Sequence, residues 1–108
     1  MLAINLDKKI VMLSIPGIMY IEKEGRTCKL HSNDGTYSTS STLDLLEKQL
    51  AGKKFMRIHK SYIVNLDYIA EISPWFNNTF SVRLSVPEKP SLPVGRNYMK
   101  ALRHIMQF

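Results

Sequence analysis

Turn-forming residues interrupt this chain so often that it can fold only from short elements. Residues 18–24 set Met19 and Ile21 against Tyr20 and Glu22, the period of two that lets a strand bury one face, and Gly25 ends the run. Residues 27–31 are predicted to pair with 37–39 through Asn33-Asp34-Gly35, since Asp-Gly supplies the positive φ values of a tight hairpin turn. A second hairpin joins residues 68–75 to 79–85 about Asn77-Asn78. Its second strand should bury Phe80, Val82 and Leu84 and leave Thr79, Ser81 and Arg83 on a wet face. Residues 10–13 form another short apolar run. The whole apolar stretch 10–21 is broken by Ser14, Pro16 and Gly17, reads as two strands with a bend, and falls short of the roughly 18 residues of a spanning helix.

Helical periodicity occurs in two places. Residues 43–50 carry a stripe of Leu43, Leu46 and Leu50, with Ser41 as N-cap, Asp44 three residues on as a weak capping box, and Gly52 as the stop. Residues 96 or 97 to 106 place Tyr98, Met99, Leu102, Ile105 and Met106 on one face and Lys100, Arg103, His104 and Gln107 on the other. Between 86 and 93, Pro87, Pro90 and Pro93 exclude a central strand, so this segment is a loop or edge strand feeding Leu92-Pro93-Val94. No internal repeat or linker divides the 108 residues, and one domain over 1–108, mainly β with short helices, is expected.

Residues 55–65, FMRIHKSYIVN, gather Arg57, His59, Lys60 and Ser61, all donors to anions, and no acid interrupts 53–60. Either a cationic strip anchored on a folded body meets phosphate, or a half-buried strand simply solvates its basic face. A net charge of +6 favours an acidic partner, nucleic acid or an anionic surface. The N-terminus puts its charges after the apolar residues and lacks a small-residue cleavage site, so a cytoplasmic protein is expected, with no membrane partner. Cys28 is the only cysteine, which excludes an internal disulfide and a multi-thiolate metal site, and its parity with Leu30 makes it a small core residue. His31, His59 and His104 are far apart, with no carboxylate or cysteine at a metal-ligand spacing. There is also no glycine-rich phosphate loop and no nucleophile elbow. No enzyme activity, cofactor or metal is expected.

The ordered set of segments resembles a LytTR-type DNA-binding domain, the output module of many bacterial response regulators. The residues that carry the resemblance are Ile18-Met19-Tyr20-Ile21-Glu22, Lys29-Leu30-His31, the Leu-rich helix, the block 55–65, residues 69–72, and Leu92-Pro93-Val94-Gly95-Arg96. Gly95 stands where the family commonly has Ser, and Asn97 where it commonly has a second basic residue, so the last contact loop carries less charge. The resemblance implies small antiparallel sheets stacked as an elongated β sandwich. It further implies sequence-specific binding of double-stranded DNA for transcriptional regulation, through loops and not a recognition helix. The implied contacts are Arg26, Thr27 and Lys29 in the first loop; Arg57, His59, Lys60 and Ser61 in the second; and Arg96, Asn97 and Lys100 at the last helix. Two copies on repeated half-sites are expected, with a receiver domain fused or partnered; 108 residues leave no room for one here.

Several positions keep two readings. Arg96 sits at a loop-to-helix junction suited to a phosphate, and its fork also fits guanine O6 and N7. His59 is either a half-buried ring bonded to a neighbouring loop or a DNA contact, and both hold if one nitrogen is anchored inside. Arg57 alternatively does no more than line its strand's solvated side, and Arg26 and Lys29 are alternatively cross-strand partners of Glu22 or Glu24. Tyr62, Trp75 and Phe76 would be stacking platforms in a single-stranded nucleic-acid module, but their spacing among Ile69, Ile72 and Phe80 favours packing. A basic protein-interaction module is the remaining alternative.

Overall fold

Strands apolar on both faces must be covered on both faces, and this condition organises the molecule. A computed structural model describes all residues, 1–108. In β3 (Ile18–Glu24), Ile21 enters one core while Tyr20 packs against another; in β7 (Tyr62–Asn65), Ile63 and Val64 divide in the same way. With β4 (Thr27–Ser32), β5 (Gly35–Thr39) and β6 (Phe55–His59), these strands form an antiparallel sheet of order β5-β4-β3-β7-β6.

One face of this sheet is covered by the hairpin of β1 (Leu2–Leu6) and β2 (Lys9–Leu13) together with α1 (Leu43–Gln49), so that Leu2, Ile4, Leu13, Leu43, Leu46 and Leu50 meet Ile21, Cys28, Leu30 and Ile63. The opposite face is covered by a second antiparallel sheet, β8 (Ile69–Pro74), β9 (Phe80–Leu84) and β10 (Ser91–Pro93) in the order β10-β9-β8, and by α2 (Arg96–Met106). There Val82, Leu84, Leu92, Val94 and Leu102 meet Ile58 and Val64. Stacking the layers gives a body of 44 × 25 × 25 Å, the elongated sandwich of small antiparallel sheets that was expected. Asn65 is buried at the end of β7, where its Nδ2 donates to the Ile18 carbonyl (2.9 Å) and its Oδ1 accepts from the Asp67 amide (3.0 Å). Both ends of that amide are therefore satisfied inside the protein.

Local differences from expectation have local causes. The hairpin β1–β2, not anticipated as a pair, closes at Asp7, which adopts φ 57°. The α1 cap is Thr42, whose Oγ1 accepts from the Leu45 amide at 3.1 Å, and not Ser41; Asp44 is thereby freed for another partner. In the β4–β5 hairpin Ser32 already pairs with Gly35, so the loop is Asn33-Asp34, and the only positive φ is that of Gly35, 148°. The second hairpin turns at Asn77 (φ 58°) and Asn78 (φ 60°). Ser81 is buried, not wet, because β9 is the middle strand and Ser73 and Pro93 flank Ser81 in register. Ile105 remains 48 % exposed, which narrows the buried stripe of α2 to Leu102 with Tyr98, Met99 and Met106 beside it.

Trp75 and Phe76 overturn the packing expectation. They lie beyond the end of β8 on the hairpin tip, 49 % and 68 % exposed, while Tyr62 packs against the second core, so the three share no platform.

The cap assignment separates two neighbouring residues. Thr42→Ala should cost about 1 kcal/mol of stability, while Ser41→Ala stays within about 0.5 kcal/mol. Urea melts of both variants check this.

Candidate nucleic-acid interface

The cationic segment is shaped by a bulge. Arg57 pairs with Ile63 and His59 with Tyr62, leaving Ile58 between them without a cross-strand partner. Two consequences follow. The ring of His59 moves to the face of Tyr62 (ring centroids 5.4 Å apart), and the Ile58 carbonyl is free to accept from the Gly95 amide at 2.8 Å. Val94, beside it, donates to the Phe80 carbonyl at 2.9 Å, and Lys23 at the end of β3 donates to the Ser61 carbonyl at 2.8 Å. Three main-chain bonds thus tie the β3–β4 turn, the β6–β7 turn, the β10–α2 junction and the β8–β9 hairpin into one frame.

Arg57 lies under that frame. Its Nε donates to the His59 carbonyl (3.0 Å) and one Nη to the Lys60 carbonyl (2.6 Å), while the other Nη bridges Asp44 (2.8 Å) and Glu47 (3.1 Å) of α1. Its side chain is only 12 % exposed. The guanidinium therefore holds the turn from below, and its hydrogen bond keeps the Asp44 carboxyl below the usual carboxylate range. Because both acids are spent on Arg57, Lys60 above them is exposed and has no ion-pair partner.

Each remaining site residue has a definite place. Arg26 is exposed at the tip of the β3–β4 turn, where Gly25 adopts φ 62°, and makes no ion pair. Thr27 is exposed, with its hydroxyl donated to the Glu24 carbonyl (3.1 Å). Lys29 is set back in β4, half-buried, and pairs with Glu24 at 3.1 Å. Arg26, Thr27, Arg57 and Lys60 line a single cleft of about 460 Å³. Arg96, Asn97 and Lys100 are all exposed on the first turns of α2 and unpaired. The α2 N-cap is Gly95, with no side-chain cap and no acid in the first turn, so its leading N–H groups and positive dipole end meet no carboxylate from this helix. A Cβ on Gly95 would stand 3.2 Å from the Tyr98 ring and 3.7 Å from His59 Cα, so a side chain here is tight.

His59 is both anchored and available. Its Nδ1 accepts from the Ser61 amide (3.1 Å), which fixes the proton of the neutral ring on Nε2, and Nε2 has no partner in the protein. Burial, then Lys60 and Arg57, pull its pKa below the usual imidazole range. The other histidines stand apart: His31 stacks on Tyr20 (4.2 Å between ring centroids) and contacts Glu22 at 3.0 Å, and His104 is exposed on α2. Cys28 is buried, and burial pushes its thiol up. No three His, Cys, Asp or Glu side chains converge, and no helix is long and apolar enough to cross a membrane.

The Ile58 bulge and the struts of Arg57 were missed in the sequence. Gly95, at a point of close main-chain approach, was noticed only as a departure from pattern.

The molecule is thus a stack of antiparallel sheets that displays unpaired cations on tied turns. Residues 8–107 match the LytTr DNA-binding domain family, and the chain belongs to that family of DNA-binding domains, which is not a family of enzymes. It is 37 % identical over 106 residues to the Sensory transduction protein LytT of Bacillus cereus, covering 98 % of this chain and 42 % of that one. It is also 37 % identical over 99 residues to the Transcriptional regulatory protein LytR of Staphylococcus aureus, covering 92 % and 39 %. The chain therefore spans about two fifths of the length of these curated relatives. The LytTr DNA-binding domain of a Bacillus cereus response regulator has the same fold, with a TM-score of 0.84 at 22 % identity over 99 % of this chain and 96 % of that one.

The His59 geometry sets a pH dependence of folding. A depressed folded pKa means that the unfolded chain binds more protons, so this contribution is complete above about pH 6.5 and is lost as pH falls below it. Urea melts across that window should show wild-type stability falling with acidification. In His59→Gln that component of the slope should be absent.

Proposed function

We propose that residues 1–108 act as one unit that binds double-stranded DNA sequence-specifically to regulate transcription. The observation that carries this reading is the frame itself: Arg26, Lys60 and Arg96 are exposed and unpaired on three turns joined by main-chain hydrogen bonds. In this reading Arg96 reads guanine O6 and N7, and Asn97 offers an amide of the kind that pairs with adenine. Lys60, Arg26 and Lys100 take phosphates, with Thr27 and Ser61 beside them. His59 contributes its Nε2–H. Arg57 acts indirectly, by holding the His59 and Lys60 carbonyls. Lys29, paired with Glu24, plays the smallest part.

Two copies bind repeated half-sites, and a receiver domain in the same or a partner chain controls them in the cytoplasm. The names and greater length of the LytT and LytR relatives support the further regulatory domain. The half-buried position of Tyr62 speaks against the three-aromatic single-strand platform.

Selection of bound duplexes from a random pool tests the proposal. A recurrent motif with a single-strand competitor much the weaker is expected; equal affinity for every sequence would sink it. With Arg26, Lys60, Lys100 and Arg103 as phosphate contacts, the log-log dependence of affinity on salt should have a slope of about −3 to −4. Arg96→Ala should cost about 1–3 kcal/mol on the selected motif and flatten preference at one base position, while Lys100→Ala weakens all duplexes alike. Fluorescence anisotropy of labelled duplexes measures both.

A further inference from the structure

The β8–β9 hairpin tip carries two exposed aromatic side chains, Trp75 and Phe76, whose ring centroids are 5.9 Å apart. Apolar side chains at a solvent-facing tip carry an unfavourable hydration free energy that covering them relieves. The tip is built to be stiff: Asn77 and Asn78 both adopt left-handed φ, the Trp75 amide donates to the Thr79 carbonyl (2.8 Å), and the Thr79 hydroxyl donates to the Phe76 carbonyl (2.8 Å). Its neighbours are cationic. Trp75 and Asn78 share a cleft of about 620 Å³ with Arg96, Lys100 and Arg103, and no carboxylate lines it. Arg103 lies over the rings of Phe80 (5.8 Å) and Phe108 (5.1 Å), an arrangement that holds its guanidinium without neutralising it.

This cleft continues the surface already described, because Arg96 belongs to both and the Val94–Phe80 hydrogen bond joins the β10–α2 junction to the root of the hairpin. We infer that the Trp75-Phe76 tip is a fourth DNA contact: the indole packs on a deoxyribose of the duplex flanking the bases read by Arg96, while Lys100 and Arg103 hold the adjoining phosphates. A sugar–phosphate strand offers the alternation this cleft complements, an apolar sugar face beside an anion. Sequence-indifferent contacts of this kind set register and footprint, not base preference. The inference rests on the proposed DNA binding and extends it outward from the motif.

Trp75 is the only tryptophan, so its emission reports on the tip alone. Acrylamide quenching of Trp75 should fall about twofold when the selected duplex, with its flanks, saturates the protein, because a side chain 49 % exposed in the free protein is then covered. Trp75→Ser should weaken binding to that duplex about tenfold, as expected for losing a buried aromatic contact, with the salt slope unchanged. On a duplex trimmed to the motif the same substitution should change affinity less than about twofold. If anisotropy shows the duplex bound while Trp75 stays as quenchable as before, the inference is overturned and the proposed function stands. Absence of duplex binding by anisotropy overturns both. Protection of Trp75 that grows with protein concentration without DNA assigns the tip to a second copy of the chain and likewise overturns the inference.

Discussion

Burial of the five-stranded sheet on both faces is the constraint from which the rest of the molecule follows. A strand such as β3, with Ile21 buried on one side and Tyr20 half-buried on the other, leaves little wet face on which to carry charge until its last residues. The unpaired cations Arg26 and Lys60 accordingly stand at turns, where the strands end, and Arg96 at the start of α2. The two cores are small, eleven fully buried residues in one and seven in the other, and stacking them across a shared sheet lengthens the body instead of rounding it. A long body with charge at its turns presents several loops to a partner without needing a projecting helix.

Electrostatics within the site has two levels. Below, Arg57 is matched by Asp44 and Glu47 and by two carbonyls, a nearly closed account of donors and acceptors that gives the turn a fixed shape. Above, Lys60, Arg26 and Arg96 have no counter-charge in the protein, so their field is directed outward. Burial, then Lys60 and Arg57, pull down the pKa of His59 and keep its ring neutral, with Nε2–H as a directed donor.

Elements set by local chemistry were legible in the sequence. The Asn77-Asn78 turn, the Leu43/Leu46/Leu50 stripe and the span of α2 depend on neighbours within a few residues, and the structure has them. What was not legible depends on distant partners or on single-residue slips. The bulge at Ile58 shifts His59 to the opposite face from Arg57 without any change in composition, so strict alternation through FMRIH misplaces the ring. Nothing near Arg57 in sequence announces Asp44 and Glu47, thirteen and ten residues earlier. Trp75 and Phe76 share the hydrophobicity of core residues, and only the place where β8 stops puts them outside. The membership of Arg26, Lys60 and Arg96 in one frame was readable only through resemblance, since the hydrogen bonds that join their turns are made by main-chain atoms.

That last property bears on how such a domain diversifies. The ties between turns run from Lys23 N to Ser61 O, Gly95 N to Ile58 O and Val94 N to Phe80 O, and none uses the side chain of a residue at a turn tip. Positions 26, 60, 96 and 97 can consequently exchange one side chain for another while the scaffold keeps its geometry. In the proposed reading, a lineage could therefore drift to new target sequences by altering a handful of exposed letters while the main-chain ties stay as they are.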